Sequence, residues 1–299
     1  MIRLVFYIIH KEADMKFTKM HGLGNDYVYV DCTKQTIKNP NRLSEIISKY
    51  HFGIGSDGLV MIMNSDKADF SMRMFNADGS EGKMCGNATR CIGKYVYDRG
   101  LTDKTQLTLE TLSGIKYLTL TVVGGKVETV SVDMGKAVLS AAEIPVKSDS
   151  ETVIGKTMTV SGREQNITCV SMGNPHCVIF TDGIDSLDLE KIGPGYENDE
   201  IFPERVNTEF VEIKDRNTLR MRVWERGSGE TMACGTGACA VAVAAVENGF
   251  CDRGSAVTVH LRGGDLGIVY RTDGHVIMTG GASFVFDGEL LIKEAEEYI

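Results

Sequence analysis

The chain has 299 residues, of which 42% are hydrophobic and 24% are charged, and its formal net charge is −9. This length suits two domains of ordinary size, each able to bury its own core. The acidic balance argues against a nucleic-acid partner, because proteins that bind nucleic acids carry a clustered basic excess. No apolar stretch approaches the roughly 20 residues that cross a bilayer, so no membrane contact is predicted.

The N-terminal segment and the cysteines bear on where the protein works. Residues 1–14 contain a short apolar core but lack the cleavage site and the long apolar region of a signal peptide. We interpret them as an extension, or as an upstream start, ahead of Met15. Eight cysteines without a secretory signal predict reduced thiols and a cytoplasmic location. Most are expected to be packing residues, because a free cysteine behaves as a small hydrophobe.

Short β-rich segments separated by Gly, Asn and Asp dominate the chain. In the first half they cover 17–20, 27–31, 58–63, 70–75, 106–111, 117–123 and 127–134. The second half repeats the pattern at 157–160, 177–181, 208–214, 219–224, 257–261, 267–271 and 275–279. This density of strands predicts a protein built mainly of sheet.

Each half carries one conspicuous helix directly after a Cys-Gly dipeptide. The first is predicted over 88–98, and the second over 238–247, where ACAVAVAAVE is followed by Asn-Gly, a common C-terminal signal. A helix that is apolar on nearly every face is usually buried. Lesser helices are predicted near 40–50 and 185–192. We therefore predict an α/β (α+β) fold with two domains, each a mostly antiparallel curled sheet around a central buried helix.

An internal repeat relates the two halves. The segment MRMFNADGSEGKMCG, ending at Gly86, aligns without a gap with MRVWERGSGETMACG, ending at Gly235, at an offset of 149 positions. The same offset relates further positions, Gly24-Asn25 with Gly173-Asn174 and Gly58 with Asn207. A repeat this long falls outside the periods of solenoids and propellers, so it indicates a duplicated domain. We predict two homologous domains related by a pseudo-twofold axis, 1–135, completed by about 282–299, and 136–281, with the active site between them.

Cys85 and Cys234 occupy equivalent places at the start of the two predicted helices. A helix N-terminus favours a thiolate and lowers the pKa of a thiol, and its amide groups bind carboxylates. An α-carbon held between such amides and two opposed thiols suits racemisation or epimerisation by two bases. One thiolate removes the α-proton while a thiol on the other face returns a proton, and the amides stabilise the anionic transition state. This chemistry requires no pyridoxal cofactor and no metal.

Several longer strings resemble the diaminopimelate epimerase family. They are MHGLGNDYV (20–28), FNADGSE (75–81), CGNATRC (85–91), SMGNPHCV (171–178), FPERVN (202–207), ERGSGET (225–231) and ACGTGACA (233–240). The resemblance extends from about Met15 to the C-terminus. It implies a cofactor-independent isomerase that interconverts LL- and meso-2,6-diaminopimelate in lysine and peptidoglycan-precursor biosynthesis, and a homodimer.

The resemblance also implies roles for individual residues. It makes Cys85 and Cys234 the catalytic thiols. Its substrate-binding positions fall on Asn25, Asn76, Gly86, Asn87, Asn174, Asn207, Glu225, Arg226, Gly235 and Thr236. These residue types suit a substrate that is an amino acid at both ends, because Arg226 can bind a carboxylate through two hydrogen bonds and asparagine amides both donate and accept. His176 and Glu225 are further candidates for tuning or orienting the thiols.

One position departs from part of the family. Some members carry Gln where this chain has Gly58, in GIGSDGLV. Glycine there removes a side-chain hydrogen bond to the substrate, which weakens the case for any substrate contact from position 58. The predicted activity does not depend on that contact.

Three other functions remain open at this point. A proline-racemase-like two-cysteine isomerase shares the duplicated fold and the CGTG string, but its first Cys-Gly is typically followed by His, where this chain has Asn87. A structural metal module could use the pairs Cys85–Cys91 and Cys234–Cys239, although the first pair is spaced more widely than the usual zinc ligands. A thiol redox protein could join Cys85 and Cys234 in a disulfide, which would inactivate an epimerase.

Overall fold

The computed structural model describes residues 15–291 and residue 298. The N-terminal extension, 1–14, lies outside the described residues, as do 292–297 and 299. The first half contains β1 (Met15–Gly22), β2 (Asn25–Asp31), α1 (Pro40–Ile47), β3 (Gly58–Met63), β4 (Phe70–Asn76), β5 (Glu81–Gly82), α2 (Gly86–Asp98), β6 (Gln106–Thr111), β7 (Gly114–Val123) and β8 (Lys126–Lys136). The second half contains β9 (Lys156–Val160), β10 (Arg163–Ser171), β11 (Pro175–Phe180), α3 (Leu189–Glu197), β12 (Asn207–Asp215), β13 (Thr218–Glu225), β14 (Gly229–Glu230), α4 (Gly235–Glu247), β15 (Ala256–Leu261), β16 (Gly264–Tyr270), β17 (His275–Gly280) and β18 (Ser283–Leu290).

The two halves share one order of strand pairing. In the first half, β1–β2 and β3–β4 are antiparallel, β2–β3 and β4–β6 are parallel, and β6, β7 and β8 form an antiparallel meander. In the second half, β10–β11 and β12–β13 are antiparallel, β11–β12 and β13–β15 are parallel, and β15, β16 and β17 form the matching meander. The predicted α/β fold is confirmed.

The offset found in the sequence reappears in the helices. α4 begins and ends 149 positions after α2, and α3 begins 149 positions after α1. α1 ends at Ile47, earlier than predicted. The helix predicted over 185–192 is displaced, since a 3-10 turn over Ile184–Ser186 precedes α3 and Asp188 caps α3 by accepting from the amide of Lys191.

The central helices are buried as the sequence predicts. Every residue of α4 from Ala238 to Ala245 has no exposed surface. Alanine has the highest helix propensity and a small side chain, so this helix can be surrounded by sheet on several sides without losing stability. α2 has Ala88, Cys91, Ile92 and Val96 in the same core cluster as α4. The central helices of both halves therefore contribute to one hydrophobic core.

Two strand pairings join the halves. β8 runs antiparallel to β17, with Val130 opposite Gly280 and Ser131 opposite Thr279. β18 pairs along β1, so the C-terminal strand returns to the sheet of the first half, where the sequence predicted it. The division of the chain at 135/136 stays a prediction, which the repeated order of elements supports.

β10 does not follow from the sequence pattern. Its first part, 163–167, pairs with β9, and its second part, 168–171, pairs with β11. The side chains of the first part are mostly exposed or half-buried, whereas those from Ile167 onward are all buried. A strand that changes partner and environment midway has no single alternation of polar and apolar residues to read.

Among the described residues, no helix combines the length and the apolar character needed to span a lipid bilayer.

Candidate active site

The two predicted catalytic cysteines precede the two central helices. Cys85 is the N-cap of α2 and Cys234 the N-cap of α4, and both have extended backbone angles. Cys85 is half-buried, and Cys234 is 4% exposed. Each follows a short hairpin that a two-pronged ion pair crosses at equivalent positions, Arg73 with Glu81 in the first half and Arg222 with Glu230 in the second. The repeated hairpin therefore places both thiols at equivalent positions, each at the N-terminus of a central helix.

The two helix starts lie close together. The Asn87 side-chain amide donates to the carbonyl of Ala233, the residue before Cys234, at 3.2 Å. The Met278 side chain lies against both N-termini, since a Cβ at Gly86 would be 2.7 Å from its methyl carbon and a Cβ at Gly235 would be 3.1 Å from its sulfur. The glycines after both cysteines thus leave room for a shared neighbour, Met278, and the two helix starts lie against each other.

Asn25 lies beside the first thiol. Its Oδ1 accepts from the Cys85 thiol at 3.4 Å and from Asn87 Nδ2 at 3.1 Å. Its Nδ2 donates to Asp57 at 2.7 Å, and the same carboxylate oxygen accepts from the amide of Asp26 at 3.0 Å. Asp57 thereby orients the Asn25 amide so that its oxygen, and not its nitrogen, points at the sulfur.

Asn174 holds the corresponding place in the second half. Its Nδ2 donates to the Thr236 hydroxyl at 3.3 Å, and that hydroxyl lies 3.5 Å from the Cys234 sulfur. The Cys234 sulfur also accepts from the amide of Gly237 at 3.3 Å, as expected at a helix start. Asn25 and Asn174, matched by the sequence offset, therefore lie near equivalent cysteines, Asn25 in direct contact and Asn174 through the Thr236 hydroxyl.

His176 is buried behind Asn174. Its Nε2 lies 3.1 Å from Asn174 Oδ1, and its Nδ1 lies 2.6 Å from a carboxylate oxygen of Glu209. Neither His176 nor Glu209 has exposed side-chain surface. Within the described part of the chain, the other Glu209 oxygen has no hydrogen-bond partner. The structure thus places His176 in a buried polar chain that leads to the second thiol through Asn174 and Thr236.

Glu225 and Arg226 end β13 next to the second thiol. The Glu225 carboxylate accepts from the Thr231 hydroxyl. Burial raises the pKa of Glu225, although hydrogen bonds from Thr231 and Cys234 oppose the shift. The Arg226 guanidinium donates to the carbonyl of Glu204 at 2.8 Å, and no carboxylate of the described residues pairs with it. Donor groups of Arg226 therefore remain for a substrate carboxylate.

Asn207 and Asn76 are less directly placed. Asn207 is 3% exposed, donates to the Pro175 carbonyl at 2.8 Å and accepts from the Arg226 amide at 2.9 Å. Asn76 is half-buried and donates to the Ser80 hydroxyl at 3.0 Å. Both side chains thus have partners within the protein, and Asn207 positions the backbone of Arg226.

The structure explains Gly58 differently from the sequence. Gly58 has φ of +153°, and a Cβ on it would lie 1.9 Å from the carbonyl oxygen of Phe75. Real Cβ atoms do not approach so closely. This backbone therefore excludes any side chain at position 58, and glycine is required by the β3–β4 contact rather than merely lacking a substrate contact.

At Cys85, burial changes the pKa of the thiol more than the helix N-terminus does. Loss of hydration raises the pKa of the Cys85 thiol, and the negative charge of Glu225 adds to this. The amides of Ala88 and Asn87 and the guanidinium of Arg90 act in the opposite direction. The amides at the helix N-terminus lower this pKa as expected, but desolvation is the larger effect and the net shift is upward.

The same correction applies to Cys234. Burial raises the pKa of its thiol to well above the ordinary value, and the carboxylates of Glu225 and Glu209 raise it further. The Thr236 hydroxyl and the Gly237 amide oppose the shift without reversing it. Desolvation therefore raises the pKa of both thiols.

Some polar residues around the thiols did not follow from the sequence. Asp57, Glu209 and Arg90 each contact a predicted site residue. A usable signal existed for Arg90, which is the third residue of the central helix predicted over 88–98, where a buried arginine is rare. Glu209 lies in β12, which mixes polar and apolar residues, so its sequence offered no such signal.

The cysteines proposed above for a metal module do not form one. Cys91 and Cys239 are fully buried on the central helices. Within residues 15–291 and 298, no group of three or more His, Cys, Asp or Glu side chains is placed to hold a metal ion.

The fold and the duplicated site define the class of the protein. A solved hydroxyproline epimerase from Agrobacterium vitis matches it with a TM-score of 0.69, over 97% of this chain and 96% of that chain, at 12% sequence identity. At this identity the likeness concerns the fold alone. The chain thus shares with that epimerase a mixed α/β fold that is mostly sheet.

The sequence comparisons narrow this class. The family model described as diaminopimelate epimerase matches residues 17–140 and 168–285. The diaminopimelate epimerase of Acetivibrio thermocellus is 57% identical over 281 residues, which cover 94% of this chain and 100% of that protein. That of Methanococcus maripaludis is 58% identical over 277 residues, covering 92% and 99%. The chain belongs to the diaminopimelate epimerase family, a family of isomerases, and the resemblance seen in the sequence is confirmed.

Proposed function

We propose that the protein interconverts LL- and meso-2,6-diaminopimelate by a two-base mechanism with Cys85 and Cys234. The observation that carries the proposal is the convergence of two equivalent helix N-termini, each with a cysteine cap. Asn87 reaches from one helix start to Ala233 of the other, and Glu225 acts electrostatically on both thiols. A substrate α-carbon between these thiols would have one sulfur on each face.

The proton balance of the reaction is simple. One cysteine, as thiolate, takes the α-proton and becomes a thiol, while the other gives its proton to the opposite face and becomes the thiolate. The product therefore leaves with the two protonation states exchanged, and no base has to move across the substrate. The amides of Gly86 and Asn87, with those of Gly235 and Thr236, lie at the two helix starts and would hold the carboxylate next to the reacting carbon and stabilise the anionic transition state.

The other end of the substrate is an unreactive amino-acid group. The unpaired donors of Arg226 suit its carboxylate, and oxygens of Glu225, Asn76 and Asn174 are acceptors for its ammonium. Asn207 would then act by fixing the Arg226 backbone. This assignment needs no pyridoxal cofactor and no metal ion. We further place the reaction in lysine and peptidoglycan-precursor biosynthesis, on the basis of family membership.

Deuterium labelling tests this function. With LL-diaminopimelate in deuterated water, we expect meso product that carries deuterium at the inverted carbon while the remaining substrate holds little label. The reason is that the returning proton comes from a thiol that has exchanged with solvent, whereas the removed proton leaves on the other sulfur. Mass spectrometry of both stereoisomers at early times makes the measurement.

The same assay with L-proline separates this activity from that of a proline racemase. We expect neither label nor inversion in proline, because the site offers several polar groups for a second amino-acid end. Inversion of proline, or LL-diaminopimelate that stays unlabelled and uninverted, would end the proposal.

We also propose that the protein is a homodimer in the cytoplasm. β18 pairs only with β1 among the described strands, and it exposes 54% of Val285. An edge strand with exposed apolar side chains is a natural surface for a second chain. All eight cysteines, which lie within the described residues, are free thiols, which suits a reducing compartment.

Light scattering tests the dimer. We expect roughly twice the 32.7 kDa chain mass for the wild type and the single-chain mass for Val285→Asp, because a buried carboxylate without a partner is costly at an interface. Val123→Asp is the matched control, since Val123 is 58% exposed at the end of β7. A wild-type mass of one chain, or equal behaviour of the two variants, would contradict this interface.

A further inference from the structure

The buried arginine of α2 has no acidic partner. Arg90 has no exposed surface and is the largest fully buried side chain. Its guanidinium donates to the carbonyls of Gly86 and Gly281 at 3.3 Å and to Asn87 Oδ1 at 2.8 Å, and it contacts the sulfur of Met278. Among the described residues, no carboxylate lies within ion-pair distance of it. A buried cation without a counter-charge is costly, so its presence calls for a functional explanation.

Arg90 is connected to the first thiol through the site. It holds Asn87 Oδ1, which leaves Asn87 Nδ2 to donate to Asn25 Oδ1 at 3.1 Å. That same oxygen lies 3.4 Å from the Cys85 sulfur. Asn25 Oδ1 is an uncharged acceptor that favours the thiol form, whereas Arg90 carries a full charge that favours the thiolate. Arg90 does not contact the place of the substrate, so we regard it as a positioning residue.

The repeat shows that the charges around the two thiols are not equivalent. Counting on by 149 positions, Arg90 corresponds to Cys239, a neutral and fully buried side chain. Counting back from the second half-site, Glu209 corresponds to Val60, His176 to Tyr27 and Glu225 to Asn76. The first half-site therefore carries a buried cation where the second has none, and the second carries carboxylates where the first has apolar or neutral residues.

Charged and titratable groups face the thiols from several elements. Around Cys85 they are Arg90 and Cys91 of α2, Tyr27 and Tyr29 of β2, and Glu225 of β13. The Asp57 carboxylate, which binds Asn25 beside Cys85, acts against Arg90. Around Cys234 the groups are Glu225 of β13 and Glu209 of β12, which holds His176 of β11. Glu225 acts on both thiols, so it does not decide between them. Arg90 and Glu209 each act on one.

We infer that Arg90 makes Cys85 the more acidic of the two thiols, so that Cys85 ionises before Cys234 in the free enzyme. The substrate stereoisomer whose α-proton faces Cys85 then meets the base that forms more readily. The other stereoisomer needs the opposite arrangement, in which Cys234 is the thiolate. The nearby carboxylates of Glu225 and Glu209 oppose the deprotonation of Cys234. The inference rests on the proposed function only in assigning acid and base roles to the two thiols.

Alkylation of the native enzyme without substrate tests the inference. Iodoacetamide reacts with the thiolate, so the midpoint of the rate against pH reports ionisation, whereas the plateau rate reports access. Peptide mass spectrometry resolves modification at Cys85 and Cys234 across pH 6–10. We expect the Cys85 midpoint to lie at least about one pH unit below that of Cys234. Equal midpoints, or a lower midpoint for Cys234, would overturn the inference without reference to activity.

Variants of Arg90 connect the order of the midpoints to its charge. In Arg90→Gln we expect the Cys85 midpoint to rise by about one pH unit, which corresponds to roughly tenfold slower alkylation at neutral pH. In Arg90→Lys we expect the Cys85 midpoint to stay near the wild-type value, because the charge is kept. Arg99→Gln, which removes an arginine at the opposite end of α2, is the matched control and should leave both midpoints in place.

The pH dependence of activity is a second measurement, which distinguishes the loss of the Arg90 charge from damage to folding. The acidic limb of kcat/KM should move to higher pH in Arg90→Gln, whereas damage to folding alone would lower kcat/KM equally at all pH values. If Arg90→Gln does not fold, the wild-type midpoints and Arg90→Lys still decide the matter. A Cys85 midpoint that is unchanged in a folded Arg90→Gln protein would refute the role of Arg90. A protein that shows the expected midpoints but no epimerisation would refute the proposed function and leave the charge assignment standing.

Discussion

Replacing either Cys85 or Cys234 by alanine is expected to abolish epimerisation. Each thiol is the only acid or base placed on its face of the proposed substrate position, so its removal should lower kcat by about 10²–10⁴-fold or more. Both variants should stay folded, because exchanging a thiol for a methyl group leaves most of the packing in place. Formation of meso-diaminopimelate from the LL isomer, followed by chromatography on a chiral phase, measures the loss.

The two cysteine variants should also differ from each other. Each retains one thiol, so each should exchange the α-proton of only one stereoisomer with deuterated water, and without inversion. The stereoisomer that exchanges should be opposite in the two variants. Cys32→Ala is the control, because Cys32 is a half-buried cysteine outside the site. Turnover near the wild-type rate in either variant, or exchange of the same stereoisomer in both, would show that the cysteines have been assigned wrongly.

Introducing glutamine at Gly58 is expected to destabilise the protein strongly and to bring no gain in substrate affinity. A Cβ at this position would lie 1.9 Å from the Phe75 carbonyl oxygen, and the φ of +153° is unfavourable for any residue with a side chain. Backbone strain of about 1–3 kcal/mol and overpacking of about 1–3 kcal/mol together predict a loss of roughly 2–6 kcal/mol in unfolding free energy. Urea denaturation of Gly58→Gln measures it.

A second glycine separates the two causes of this loss. Gly114 also has a positive φ, of +90°, but a Cβ there would meet no atom within 4 Å. Gly114→Ala therefore carries the backbone penalty without the clash, and should lose only about 1 kcal/mol. A stable Gly58→Gln protein with a lower KM would mean that β3 can shift to admit the side chain, and would restore the interpretation based on sequence alone.

The parts of the fold that repeat were the parts that could be predicted. The offset between Cys85 and Cys234 fixed the equivalence of the halves, and the Cys-Gly signals fixed the starts of α2 and α4 to within a few residues. β10 was missed because its burial changes midway along the strand. The position of α3 was misjudged because its start depends on the Asp188 cap, and a single capping residue is a weak signal among several acidic residues.

The site was predictable in its residues but less so in its electrostatics. The asparagines at equivalent offsets lie beside the thiols, as expected. The direction of the thiol pKa shifts was not predictable, since it depends on how completely each sulfur is removed from water, and sequence does not report that. Arg90 and Glu209 were missed because their importance comes from the side chains that they contact in the folded protein, Asn87 and His176.

The pairing of β8 with β17 bears on how such a protein could have arisen. Val130 lies opposite Gly280 and Ser131 opposite Thr279, and the offset of 149 positions turns each of these pairs into the other. A twofold axis therefore passes through the middle of this strand pair, as in the self-complementary interface of a symmetric dimer. Two copies of a half-length chain could assemble by this contact, but their half-sites would have to carry identical side chains. Joining the copies in one polypeptide removes that constraint, and only then can one half-site hold an arginine while its counterpart holds carboxylates.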